Sequence, residues 1–211
     1  KMVRTNSTML PLGTDLPFFE LPIVEGTPLN DFYGKDLKTI NSNMLSQKPL
    51  LLMVICAHCP FVKHIEEEIT KLEGDYVDHL QMIAISSNSL ITHPQDGPEY
   101  LAKQAKLQGW GFPYLLDLDQ FLAKALQAAC TPDFFLFSPD KQGKQKLEYR
   151  GQLDGSSPGN GIPVSGEDLR FAIEKVLKAE NVDCEQKPSI GCNIKWHPGK
   201  EPSWFGCFLD T

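Results

Sequence analysis

The sequence predicts an α/β fold: a central mixed sheet flanked by helices, with an N-terminal hairpin and an irregular C-terminal tail. Three observations carry this. The run Leu50-Leu-Leu-Met-Val-Ile55 is apolar without a break, the mark of a strand buried on both faces. From Pro60 onward, apolar residues fall at 61, 62, 65, 69 and 72 with charged residues between them, the spacing of one helical face. Strand and helix patterns then go on alternating, which stacks parallel strands with helices on the sheet faces.

Taken in order, residues 10–29 place prolines and glycines every few positions, which forbids a helix and predicts an edge hairpin. Leu50–Ile55 is the central strand. The helix opening at Pro60, which suits the first helical position, is expected to end near Gly74. Leu80–Ser86 predicts a second buried strand, Pro98 to about Gln108 a helix, and Tyr114–Leu118 a third strand. Apolar side chains repeat at 121, 122, 125, 126 and 129. Phe134–Phe137 predicts a short core strand that breaks at Ser138-Pro139, and Lys141-Gln-Gly-Lys144 a hairpin turn into Leu147–Leu153. Asp154–Pro163 is a loop by composition, too irregular for a glycine-rich phosphate cradle. Ser165 is expected to cap a last helix, with Asp168 three residues on and apolar positions at 169, 172, 173, 176 and 177. Beyond about Asn181 no periodicity survives. Ile194, Trp196, Trp204 and Phe205 nevertheless predict a tail packed over the domain, which divides the chain into 1–180 and 181–211.

Composition narrows the function classes. The 211 residues suffice for one domain with appendages and a full core. A net charge of −7 supplies no excess cation for phosphates or an anionic membrane surface, so neither nucleic acid nor membrane is an expected partner. The longest apolar stretch, Leu50–Ala57, falls far short of the ~20 residues of a membrane span. The first residues lack the apolar core of a secretory signal, and a cytoplasmic protein is expected.

Six cysteines, at 56, 59, 130, 184, 192 and 207, are too sparse to staple the fold. Two of them form Cys56-Ala-His-Cys59-Pro60, between the central strand and the next helix, where an α/β sheet puts its reactive crevice. A thiol at a helix N-terminus faces unpaired N–H groups and the positive end of the dipole, which favour the thiolate over the free value of ~8.5. Cys59 is therefore the expected nucleophile, Cys56 a buried neighbour, and His58 a group that would lower the Cys59 pKa further. Two blander readings exist: a pair of small apolar residues, or part of a zinc site. Zinc needs four ligands in a structural site, yet there is no second Cys-x-x-Cys and no histidine pair at ligand spacing; His64 lies one helical turn away.

Strand, cysteine and helix, followed by Cys130-Thr-Pro-Asp-Phe-Phe135 before a strand, resemble the thioredoxin superfamily. Ser7-Thr-Met-Leu-Pro-Leu-Gly-Thr14, Cys56-x-His-Cys-Pro60, Arg150-Gly151, Ser157-Pro-Gly-Asn-Gly161 and Gly191-Cys-Asn-Ile-Lys-Trp196 narrow the resemblance. They are similar to a peroxiredoxin-like family within the alkyl hydroperoxide reductase/thiol-specific antioxidant (AhpC/TSA) group. The resemblance implies a thioredoxin-like fold and a thiol–disulfide oxidoreductase with no bound cofactor. Its partners would be protein or small-molecule disulfides and an external thiol reductant. It also implies a cis-proline, Pro132, facing Cys59, with the Thr131 backbone open to pair with a substrate strand.

The chain departs from both parents. Registered on the strand and helix, Val62 stands where a thioredoxin has its second cysteine, and Met53 where it buries an acid. The peroxiredoxin spacing Pro-x-x-x-Thr-x-x-Cys is missing. Counting back from Cys59 gives Leu52 and Cys56, and from Val62 gives Ile55 and Cys59. Efficient peroxidase activity is not expected, although a low-pKa thiolate reacts slowly with peroxide. The candidate resolving thiols rank Cys56 first on loop closure, then Cys192, then Cys130. Cys184 and Cys207 are read as incidental, Glu66, Glu67 and Glu68 as a solvated helix face, and His79, His93 and His197 as surface groups. Competing with the enzyme are a redox-sensing or peptide-binding module of the same fold and a weak thiol peroxidase.

Overall fold

The structure is a computed structural model describing residues 4–29, 37–45 and 47–206; Cys207 lies outside this range. The chain begins with β1 (Arg4–Asn6), β2 (Glu20–Pro22), β3 (Thr39–Asn41) and β4 (Leu50–Val54), followed by α1 (Pro60–Tyr76) and β5 (Gln81–Ser86). It continues through α2 (Pro98–Gln108), β6 (Tyr114–Leu116), α3 (Phe121–Ala125), β7 (Cys130–Thr131) and β8 (Asp133–Pro139). β9 (Gln145–Gly151), α4 (Glu167–Leu177) and β10 (Ile190–Asn193) complete it.

The central sheet runs β6-β5-β4-β8-β9, parallel from β4 to β6 and antiparallel across β8 and β9. β4 is the middle strand, and all five of its side chains are fully buried. Leu51 and Met53 pack on one face with α1, α2 and α4, while Leu50, Leu52 and Val54 pack on the other with α3, Ile40, Ile194 and Trp196. Two covered faces explain the unbroken apolar run.

Several boundaries differ from expectation. Residues 10–29 do not fold back on themselves: only Glu20–Pro22 is a strand, and its antiparallel partner is Thr39–Asn41. The rest of the segment binds other edges, with Gly13 N–H donating to Leu147 O and Leu16 N–H to Gln145 O. Prolines 11, 17 and 22 remove the donors a local hairpin would need. α1 runs past Gly74 to Tyr76 because burial of Leu72 and Tyr76 outweighs the ~1 kcal/mol a helical glycine costs. α4 starts after Gly166 rather than Ser165. Ser165 Oγ still accepts the Glu167 N–H at 3.3 Å, and Asp154, eleven and more residues upstream, accepts the N–H groups of Ser165 and Gly166 at 2.7 and 2.6 Å, so a tertiary contact joins the local cap. β8 runs through Pro139 instead of breaking at Ser138.

The largest difference lies in the tail. Ile190–Asn193 is a strand, held between β1 and β7 in a small antiparallel sheet of order β1-β10-β7. Ile194 and Trp196 are buried as expected, the Trp204 indole donates to Ala128 O at 3.4 Å, and Phe205 is exposed. No helix among the described residues is long and apolar enough to cross a membrane.

Candidate active site

Cys59 occupies the N-cap of α1 with extended backbone (φ −70°, ψ 123°), and Pro60 opens the helix. Its side chain has no exposed surface. The Thr131–Pro132 bond facing it is cis, and as a thiol Cys59 donates to Thr131 O at 3.2 Å. Cys56 Sγ lies 3.6 Å from Thr131 Oγ1 and 3.9 Å from His58 Nδ1.

Cys192 completes a cluster of three thiols. β10 aligns it opposite Thr131, with Asn193 opposite Cys130. This approach depends on Gly191, where a Cβ would stand 2.1 Å from Thr131 O and 2.6 Å from Thr131 C. The main-chain edge of Thr131, expected to be open for a substrate strand, is thus occupied by the chain's own tail.

The thiols divide their proton affinities unequally. Hydrogen bonds from Cys192 and then Cys56 hold Cys59 far below the ordinary thiol range despite burial, with the Thr131 hydroxyl and the Val62 N–H adding to the effect. Cys56 and Cys192 move the opposite way, each raised first by its hydrogen bond to Cys59 and then by burial. The arrangement favours the thiolate at Cys59 and the protonated thiol at its two neighbours. Cys130 stands apart: its thiol donates to Pro132 O at 3.6 Å and Ser189 O at 3.8 Å, and burial raises its pKa.

His58 does not sit where expected. Its Nδ1 lies 2.6 Å from Asp96 Oδ2, and its ring stacks on His93 at a centroid distance of 5.5 Å. With Nδ1 engaged by this buried carboxylate, His58 ties down the loop and is not among the groups that lower the Cys59 pKa. Asp96 also accepts the N–H groups of Ala57 and His58 at 3.1 and 3.3 Å and the Asn88 amide at 2.8 Å. Sequence reasoning missed Asp96 and Asn88. Cys56, His58 and Asp96 bring potential metal-donor atoms within 4.8 Å of one another. The aspartate oxygens already accept from His58, Ala57 and Asn88, so the group reads as a hydrogen-bond network.

Beside Pro132 a cleft of about 110 Å³ opens between Phe61, His64, Ser156 and Ile190. His64 Nε2 lies 2.7 Å from Ser156 Oγ, well away from the thiols in its bonding. Glu68, expected in solvent, is buried: Arg170 contacts it at 2.7 Å and ties α1 to α4. Cys184 is exposed.

A model of the AhpC/TSA family matches residues 12–145. An uncharacterized conserved protein from Geobacillus kaustophilus is 42% identical, with a TM-score of 0.84 over 94% of this chain and 99% of its own. A hypothetical protein from Sinorhizobium meliloti 1021 is also 42% identical, with a TM-score of 0.81 over 92% of this chain and 100% of its own. Mycobacterium tuberculosis AhpC shares the fold at 18% identity, with a TM-score of 0.55 over 81% of this chain and 95% of its own. None of the curated proteins matches the chain.

Proposed function

The chain belongs to the AhpC/TSA family, and from that premise we propose that it is a thiol–disulfide oxidoreductase with Cys59 as nucleophile. The observation that carries this is the Cys59 sulfur at the start of α1, ringed by the donors of Cys192, Cys56, Thr131 and Val62 and facing the cis peptide of Pro132. A thiolate stabilised there attacks one sulfur of a disulfide R–S–S–R. The Cys59–S–S–R bond forms, the R–S–S–R bond breaks, and the departing thiolate is protonated. A second protein thiol then displaces the remaining RS group, leaving a protein disulfide that an external dithiol reduces while becoming oxidised itself.

In this reading Thr131 and Pro132 position the reacting sulfur. His58 is a positioning residue that acts through Asp96, and no bound cofactor takes part. The lack of exposed surface at Cys59 favours one competing reading, a redox sensor that reacts once and does not turn over. The discriminating measurement is steady-state reduction of hydroxyethyl disulfide by dithiothreitol. Continuous catalysis that disappears in Cys59→Ser supports the enzyme, whereas one stoichiometric reaction per chain supports the sensor.

A further inference from the structure

Two thiols contact Cys59, and only one of them arrives on a strand. β10 pairs with Thr131 on one side and with β1 on the other, where Cys192 stands opposite Arg4. It is pinned at both ends. Before it, Ser189 N–H donates to Ser7 Oγ at 2.9 Å; after it, Ile194 N–H donates to Ala129 O at 3.0 Å and Lys195 N–H to Asn88 Oδ1 at 2.8 Å. The segment is an integral strand rather than a swinging tail.

We propose that β10 is a built-in pseudosubstrate: it holds the Thr131 edge that an extended peptide would need, delivers Cys192 as the resolving thiol of Cys59, and so confines turnover to low-molecular-weight disulfides. This rests on Cys59 being the nucleophile. An incoming peptide pairs by adding a strand to an unoccupied edge, and that edge is taken. What remains next to Pro132 is a cleft of about 110 Å³ lined by Phe61, His64 and Ile190, which presents no free edge of Thr131 to a peptide.

Cys56 is the less suitable resolver. The two residues that join it to Cys59 are held by Asp96 through both backbone N–H groups, and its sulfur rests against Thr131 Oγ1. Its place is that of a proton-bearing donor to the Cys59 thiolate. Cys192 carries no such restraint from Asp96, and for it, as for Cys56, the bond that raises the pKa vanishes when the reaction begins. In the resting state its proton is held by the Cys59 sulfur. Once Cys59 is capped as Cys59–S–S–R, no thiolate remains to hold that proton.

The chemistry then closes. Cys192 gives its proton to the first RS⁻, its sulfur attacks Cys59 Sγ, the Cys59–SR bond breaks, and the second RS⁻ is protonated by solvent. The small disulfide is reduced to two thiols, and Cys59 and Cys192 are oxidised to one disulfide. An external dithiol reverses that oxidation.

The test uses the full chain, reduced and then treated with one equivalent of hydroxyethyl disulfide, with every disulfide mapped by tandem mass spectrometry. The expected product links Cys59 to Cys192. In Cys192→Ser, a Cys59–hydroxyethyl mixed disulfide should accumulate and steady turnover should be lost. Insulin disulfides should be reduced no faster than by dithiothreitol alone. A Cys56–Cys59 disulfide in the wild-type protein, undiminished turnover in Cys192→Ser, or catalysed insulin reduction would each overturn the proposal while leaving Cys59 as nucleophile. Absence of any adduct on Cys59 in both proteins would instead overturn the oxidoreductase reading on which it rests.

Discussion

Asp96 Oδ2 lies 2.6 Å from His58 Nδ1, and the other oxygen of the same carboxylate accepts the backbone N–H groups of Ala57 and His58. One buried acid from the loop before α2 therefore sets the conformation of both residues between Cys56 and Cys59. Burial works to raise its pKa, but the hydrogen bonds from His58 and Asn88 outweigh it, and the carboxyl lies below its ordinary value. A carboxyl depressed on folding contributes stability that is present above its unfolded pKa of ~3.9 and is lost as pH falls through the folded one.

Asp96→Asn is accordingly expected to cost about 2 kcal/mol of unfolding free energy at pH 7, the scale of hydrogen bonds to a charged acceptor. Urea denaturation should also show a shallower loss of stability on the acid side than the wild type shows. An unchanged midpoint at neutral pH would mean that the clamp contributes nothing.

The thiol cluster gives a second pH signature, of opposite sign. Cys56 and Cys192 titrate above the ordinary thiol range in the fold, first through their bonds to Cys59. Their contribution is complete below the unfolded thiol pKa of ~8.5 and is lost as pH rises beyond it, because the unfolded chain releases protons that the native chain retains. The urea midpoint of the reduced protein should therefore fall between neutral and strongly alkaline pH, and fall less in a Cys56→Ser/Cys192→Ser variant. Ultraviolet thiolate absorbance should show one thiolate persisting well below ~8.5 and missing in Cys59→Ser.

What the sequence made legible was whatever has a local cause. Leu50–Ile55 reads as a central strand because two covered faces demand an unbroken apolar run, and Cys59 reads as helix-terminal because Pro60 follows it. The hidden features have causes elsewhere in the chain. Ile190-Gly-Cys-Asn shows no alternation and becomes a strand only because β1 and β7 flank it. Its one local sign is the glycine before Cys192. Asp96 sits among Pro94, Gly97 and Pro98, where an acid looks like a turn residue. Glu68 looks solvated until Arg170 from α4 is placed against it.

That last pair is open to measurement. Arg170 meets Glu68 at 2.7 Å and Asp75 at 2.7 Å, while Lys71 stands 3.5 Å from Glu68. Breaking a fully buried pair costs ~3–5 kcal/mol, but the arginine is partly exposed and Lys71 remains, so Arg170→Ala should cost about 2 kcal/mol. Neutralising the stranded acid in Arg170→Ala/Glu68→Gln should recover part of that loss. A double-mutant cycle reads the difference, and strict additivity would show that the two groups are energetically independent.

The strictest test of the arrangement around Cys59 is Gly191→Ala. The added methyl would sit 2.1 Å from Thr131 O and 2.6 Å from Thr131 C. Both contacts are with backbone, which cannot rotate aside, so β10 must move off Thr131. Cys59 then loses the Cys192 hydrogen bond, the foremost cause of its low pKa, and its thiolate titration should shift upward toward the ordinary thiol range. The yield of Cys59–Cys192 disulfide after treatment with hydroxyethyl disulfide should fall in the same variant. Gly155→Ala serves as the control, since a Cβ there meets nothing within 4 Å. Wild-type thiolate titration and wild-type disulfide yield in Gly191→Ala would show that close approach of β10 to Thr131 is not what sets the charge on Cys59.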